Sequence, residues 1–277
     1  DPLEKKPLFH FRPGESVLSF GGLSCNLRCQ HCQNFTIAQV GLENGMSRYV
    51  PPEDVPEMCL RANSNGAAWT YNEPTIWYEY LVDASRPCKE RGLFTVSVTN
   101  GFIQEEPLRS LKGLIDAMNI DVKGFTENFY KGVCKGSLAP VLRACEVARE
   151  IGVHLELTYL IIPGRNDRQQ EISDFCHWVR DRMGTQTPVH FSRFHPDYEM
   201  DDVPATPRST MDMALKEGKA HGLDYVYVGN IVTERGENTY CPQCGSLLVR
   251  RSGFSAEVLG VKERACAKCG RMTDIIW

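Results

Sequence analysis

The chain has 277 residues, 42% of them hydrophobic, which supports one large domain with a small appendage. A net charge of −4 without a long basic run excludes the electrostatic footprint of a non-specific nucleic-acid binder. Its apolar runs are strand-sized, so neither a membrane span nor a signal peptide is expected; twelve cysteines in a cytoplasmic chain then point to metal rather than disulfides.

The first strand is expected at 16–20 and runs into "GLSCNLRCQHCQN", with Cys25, Cys29 and Cys32 at C-x3-C-x2-C spacing. Helical patterns follow at 51–64, 75–91, 104–112, 138–151, 167–183 and 206–221. Strand-like runs alternate with them at 67–71, 93–98, 116–122, 153–161, 188–194 and 223–228. In 138–151 the residues Leu138, Val141, Leu142, Cys145 and Ala148 recur as one buried stripe. Such alternation predicts an α/β fold with a parallel sheet, a partial or full (β/α) barrel over 1–236. Working residues are then expected where strands end. Residues 237–277 break the pattern and carry Cys241, Cys244, Cys266 and Cys269 as two CxxC pairs, a zinc-ribbon-like module. Among the scattered thiols, Cys145 and Cys176 read as small core hydrophobes, whereas Cys134 sits in a glycine-flanked loop, "KGVCKGS".

Three clustered thiols are one short of a closed structural zinc site. They suit a 4Fe-4S cluster with one iron left open for a small molecule. "CNLRCQHC" resembles the signature loop of radical S-adenosylmethionine (SAM) enzymes. Over most of its length the chain is similar to the pyruvate formate-lyase activating enzyme group. Within that group, "PLFHFRPGESVLSFGGLSCNLRCQHCQN" and "YVYVGN…GENTYCPQCG" resemble the radical SAM member of the AmmeMemoRadiSam system, whose members begin further upstream. Asp1 in place of a starting methionine fits a chain trimmed there. The resemblance implies reductive cleavage of SAM to a 5′-deoxyadenosyl radical that abstracts hydrogen from a protein or small-molecule substrate.

It also implies SAM contacts at the strand ends, each beside a plainer reading. Glu73, in "TYNEP", would receive the SAM ammonium with Asn72 beside it as a further SAM contact, or is a turn acid; Tyr71 and Asn72 stand where the family has two glycines. Thr75 is the expected helix cap. Ser97 and Asn100, beside Thr99 and Gly101, would bind ribose or carboxylate, or simply end a strand. Asp121 and Lys123 match an Asp-x-Lys element, or form an ion pair. Ile161 and Ile162 would flank adenine or pack the core. His195, next to Arg193, matches an adenosine-contacting histidine, and His31 fills the slot between the last two cluster cysteines.

Zinc is the first choice for the tail, with one iron or an auxiliary cluster as alternatives. An electron donor such as ferredoxin or flavodoxin is implied, as are Memo-like and AMMECR-like partners. Activation of a glycyl-radical enzyme is a second reading. A non-catalytic metal-binding or redox-sensing docking module is a third, though it needs no polar strand ends.

Overall fold

The computed structural model describes residues 1–41, 43, 47–231 and 236–277. Its main sheet holds β1 (Leu18–Phe20), β2 (Gly66–Trp69), β3 (Phe94–Thr99), β4 (Ala117–Asp121), β5 (His154–Ile161), β6 (Val189–Arg193) and β7 (Val226–Gly229). All neighbours are parallel and in chain order, with β1 and β7 at the two edges, so the barrel is partial. Eight α-helices accompany them among the described residues: α1 (Phe35–Ala38), α2 (Val55–Arg61), α3 (Tyr78–Glu90), α4 (Glu105–Ser110), α5 (Glu127–Phe129), α6 (Leu138–Glu150), α7 (Gln169–Trp178) and α8 (Arg208–Ala220). The expected stripe of α6 is buried except for Leu142, which is half-buried. Two features escape periodicity: the short α1, and α5 with the π-turn Tyr130–Cys134 that continues it.

Parallel strands are covered on both faces, so both faces are largely apolar. Ala67, Trp69, Met118, Ile120, Leu157, Tyr159 and Phe191 pack against the helices. Ala68, Phe94, Val96 and Ala117 face the other way, onto Leu3, Leu8, Phe11 and Val17 of the N-terminal segment. That segment plugs the N-terminal end of the barrel. Beside it, the fully buried Glu156 accepts from the His10 amide (2.6 Å), His190 Nε2 (2.7 Å) and His154 Nε2 (3.1 Å). A buried carboxylate is tolerable only when so paired.

The tail forms its own three-stranded sheet of β8 (Thr239–Tyr240), β9 (Leu247–Ser252) and β10 (Ser255–Val258). A two-stranded ribbon of β11 (Val261–Lys262) and β12 (Ala265–Cys266) follows. It docks on the N-terminal plug. Arg251 donates to the Phe9 carbonyl (2.6 Å), the Ile276 backbone bridges to Phe11, and His10 Nδ1 meets the Asp274 carbonyl (3.1 Å). The tail therefore closes the end of the barrel opposite the first cysteine loop.

Candidate functional site

The loop after β1 crosses the C-terminal ends of the strands, where a barrel gathers its working groups. Asn72 clamps its entry: Oδ1 accepts the Gly22 amide (2.7 Å) and Nδ2 donates to the Ser24 carbonyl (2.9 Å). Further along, the Arg28 and Gln30 amides donate to the carbonyls of Cys134 (2.9 Å) and Val133 (3.1 Å). The π-turn is thereby stapled beneath the cysteines.

Each of the three sulfurs has its own polar neighbours. Cys25 Sγ receives the Leu27 amide (3.4 Å) and Asn100 Nδ2 (3.6 Å). Cys29 lies against the thiol of Cys134, and Cys32 has the Asn34 amide and the Gln39 side chain. Without a metal these thiols resist ionising. Burial pushes Cys25 up to about 11, Cys32 rises for the same reason, and contact with Cys134 together with burial raises Cys29 well above its ordinary value. Bound iron would supply the positive charge that the thiolates need. Donors aimed at sulfur fit such a group. So does His31, which is 4% exposed and whose Nδ1 is buried without a partner. Burial, then the charge of Lys123, holds that imidazole neutral, with its pKa lowered to about 3.

Around the loop, Asp121 and Lys123 pair at 2.9 Å. Burial opposes the Lys123 charge, but Asp121 and then Cys29 outweigh it, so the ammonium is firmly held. His195 is exposed and its Nε2 meets the Gln33 side chain at 2.9 Å, next to Cys32. Asn100 stands between the cysteine loop and β3, donating to Asn26 Oδ1 (2.8 Å) as well as to Cys25.

Glu73 is 2% exposed and its carboxylate is already engaged. Oε1 accepts from Thr99 Oγ1 (2.7 Å), Thr75 Oγ1 (2.6 Å) and the Thr75 amide (3.0 Å); Oε2 accepts the Asn100 amide (2.7 Å). The helix cap is therefore Glu73, and Thr75 is what it caps. Two expected site residues lie elsewhere. Ser97 points to the helix layer, where with Leu81, Leu108, Met118 and Ala144 it lines a small apolar cavity. Ile162 is fully buried in the main core and its amide donates to Asn166 Oδ1 (2.6 Å), which leaves no side-chain surface for an adenine ring. Tyr71, where the family has glycine, adopts φ +73°, a conformation that favours glycine.

Sequence reasoning missed Asn26, Thr99 as a partner of Glu73, and the adjacency of Cys134 to Cys29. A thiol in a glycine-flanked loop was the one available hint.

In the tail, the sulfurs of Cys241, Cys244, Cys266 and Cys269 all lie within 4.8 Å of one another, with Cys241–Cys269 and Cys244–Cys266 at 3.6 Å. Tetrahedral zinc with Zn–S of about 2.3 Å needs sulfurs about 3.8 Å apart. Gly245 and Gly270 take φ +69° and +76°, and their amides donate to Cys241 and Cys266 carbonyls, which curls each knuckle. The Ser246 hydroxyl holds Cys244 down to about 6. Among the described residues, this quartet is the group of ligand atoms found gathered closely enough to hold one metal ion.

The radical SAM superfamily profile matches residues 22–176. An uncharacterized protein of Methanocaldococcus jannaschii is 48% identical over 278 residues, covering 100% of this chain and 83% of its own. The pyruvate formate-lyase-activating enzyme of Clostridium pasteurianum is 25% identical over 229 residues, covering 74% of this chain and 92% of its own. Streptococcus suis SuiB bound to S-adenosylmethionine superposes with a TM-score of 0.62 at 12% identity, over 87% of this chain and 56% of that one, a likeness of fold.

Proposed function

The chain belongs to the radical SAM superfamily, and from that premise we propose that it is an enzyme whose cysteine trio holds a 4Fe-4S cluster beside bound SAM. Bound there, the cluster and SAM supply a 5′-deoxyadenosyl radical that takes hydrogen from a substrate. The observation that carries the reading is the set of polar neighbours around Cys25, Cys29 and Cys32, at the strand ends that also bear Asp121 and Lys123. Lys123 is the candidate for the SAM carboxylate, Asp121 for the ribose, and His31 and His195 for the adenosine. Asn72 and Asn100 hold the loop that carries the ligands. Glu73 fixes the strand ends, so it meets the SAM ammonium through an oxygen that already accepts other donors.

The domain division is 1–236 for the barrel and 237–277 for a zinc-holding tail that braces the far end. An electron donor of the ferredoxin or flavodoxin kind serves the cluster face, in a cytoplasmic setting. Relatives named as pyruvate formate-lyase and benzylsuccinate synthase activating enzymes favour, as a second reading, the generation of a glycyl radical on a partner enzyme. The resemblance to the AmmeMemoRadiSam member favours Memo-like and AMMECR-like partners instead. Mixing with a glycyl-radical enzyme and looking for its protein radical separates the two. The primary test is oxygen-free reconstitution with iron and sulfide, followed by reduction with SAM. A four-iron signal and 5′-deoxyadenosine are expected; a single filled tetrahedral ion on the trio, with neither, overturns the assignment.

A further inference from the structure

The Asp1 carboxylate sits in a cradle of donors. Lys5 Nζ donates to Oδ1 (3.2 Å), while Lys6 Nζ (3.0 Å), Ser19 Oγ (2.8 Å) and the Tyr71 hydroxyl donate to Oδ2. Both ammoniums also face the Tyr71 ring, Lys5 at 5.9 Å and Lys6 at 4.3 Å from its centre. The donors come from the plug, from β1 and from the turn after β2, and they converge on one anion.

This cradle shares the inner face of the sheet with the site residues. Ser19 pairs in register with Ala68, whose side chain packs on the plug. Pro7, next after Lys6, is held there by Asn119 Nδ2, which donates to its carbonyl (2.8 Å). Side chains alternate along a strand, so Asp121 projects from the same face, about 7 Å further along β4. Tyr71 joins the cradle to the cysteine loop, because its carbonyl accepts Asn34 Nδ2 (2.7 Å) just beyond Cys32. Solvent reaches the donors: the Lys5 side chain is 43% exposed and Tyr71 38%.

A tie between segments does not account for the charges. Lys6 is 2% exposed, and the carboxylate it binds is shared with Lys5. Two ammoniums against one carboxylate leave a positive charge over, and a buried charge is costly unless paired. Glu4, the acid nearest in sequence, turns away onto the Gly14 amide (3.0 Å) and Arg251. Burial, with Lys5 adding to it, lowers Lys6 to about 8, as befits an ammonium short of negative partners.

We propose that this cradle is a recognition site for the carboxylate of a small acid, filled in the free chain by the Asp1 side chain. The two lysines attract such a group by charge, and the Ser19 and Tyr71 hydroxyls orient its oxygens. That the acid is the substrate rests on the cluster reading above; that the cradle binds it needs neither iron nor SAM.

The test is calorimetric titration of the reconstituted full chain with malonate, beside malonamide as its neutral counterpart. Wild type should bind malonate saturably and malonamide not at all. Asp1→Asn removes the competing charge and should tighten malonate about tenfold, whereas Lys6→Met should weaken it about tenfold, the scale of one charge-assisted hydrogen bond. Lys5→Met, at an exposed position, should weaken it less. It decides if Lys6→Met does not fold, with unchanged affinity overturning the proposal. A wild type that ignores malonate, an Asp1→Asn protein that binds no more tightly, or equal binding of the two ligands also overturns it. A preparation without a four-iron signal overturns the cluster reading alone, since the same titration still decides the cradle.

Discussion

The carboxylate of Glu73 accepts the backbone amide of Asn100 at 2.7 Å, tying the turn after β2 to the end of β3. One acid thereby fixes the position of the amide side chain that donates to Cys25. Changing Glu73 to Gln replaces an acceptor oxygen with an NH2 group that faces N–H or O–H donors. The expected cost is about 1–3 kcal/mol of stability. Denaturant unfolding should show it together with weaker SAM binding. An unchanged midpoint would mean that the carboxylate is not the strand-end tie.

Asn72 binds the cysteine loop through both the oxygen and the nitrogen of its side-chain amide. Asn72→Ala should release the Gly22 and Ser24 contacts and speed loss of iron from the reconstituted protein. SAM affinity of the protein that retains its cluster should stay within about twofold, since less than about 0.5 kcal/mol is at stake. If affinity falls while iron is retained, Asn72 is a SAM ligand instead.

Lys123 offers a firmly charged ammonium beside the cysteine loop. Lys123→Met should weaken SAM binding by about tenfold or more, the scale of one hydrogen bond to a charged group. Asp121→Asn should weaken it less, because the ammonium remains. Calorimetric titration of the reconstituted proteins checks the order.

Removing the tail metal should loosen the plug, because Arg251 and Ile276 bind the N-terminal segment. With a zinc chelator the expected outcome is a lower Tm and faster proteolysis of residues 237–277. The four-iron signal should persist, since the tail docks at the other end. Metal analysis should return one zinc per chain and lose it in Cys266→Ser.

Stability should fall on the acid side of neutrality. Burial first of all lowers the His10 pKa to about 3, against an ordinary value of about 6.5 in the unfolded chain. The unfolded state then binds the extra proton, so stability is present above about 6.5 and drains away as pH falls towards about 3, at up to about 1.4 kcal/mol per pH unit. For Glu156 burial opposes ionisation, but hydrogen bonds from His154 and His190 outweigh it and depress its pKa. Its stabilisation is present above the unfolded value and is lost at still lower pH, in the same direction. Thermal unfolding between pH 7 and 5 should show the decline, and His10→Gln should flatten it.

The chain alone determined much of this protein. Periodicity marked every strand of the main sheet and the six longer helices, because burial against a sheet or a helix layer repeats every two or 3.6 residues. Thiol spacing marked both cysteine groups, since thiols close in sequence can close on a common centre. What tertiary structure decided was which way a strand-end residue faces and what lies across from it. Both faces of a parallel strand are buried, so nothing in "FTVSVTN" told that Ser97 looks towards the helices while Asn100 reaches the cysteines. Nor did "KGVCKGS" reveal that its thiol rests on Cys29, more than a hundred residues earlier, because a contact of that separation is made by chain crossing and not by local pattern.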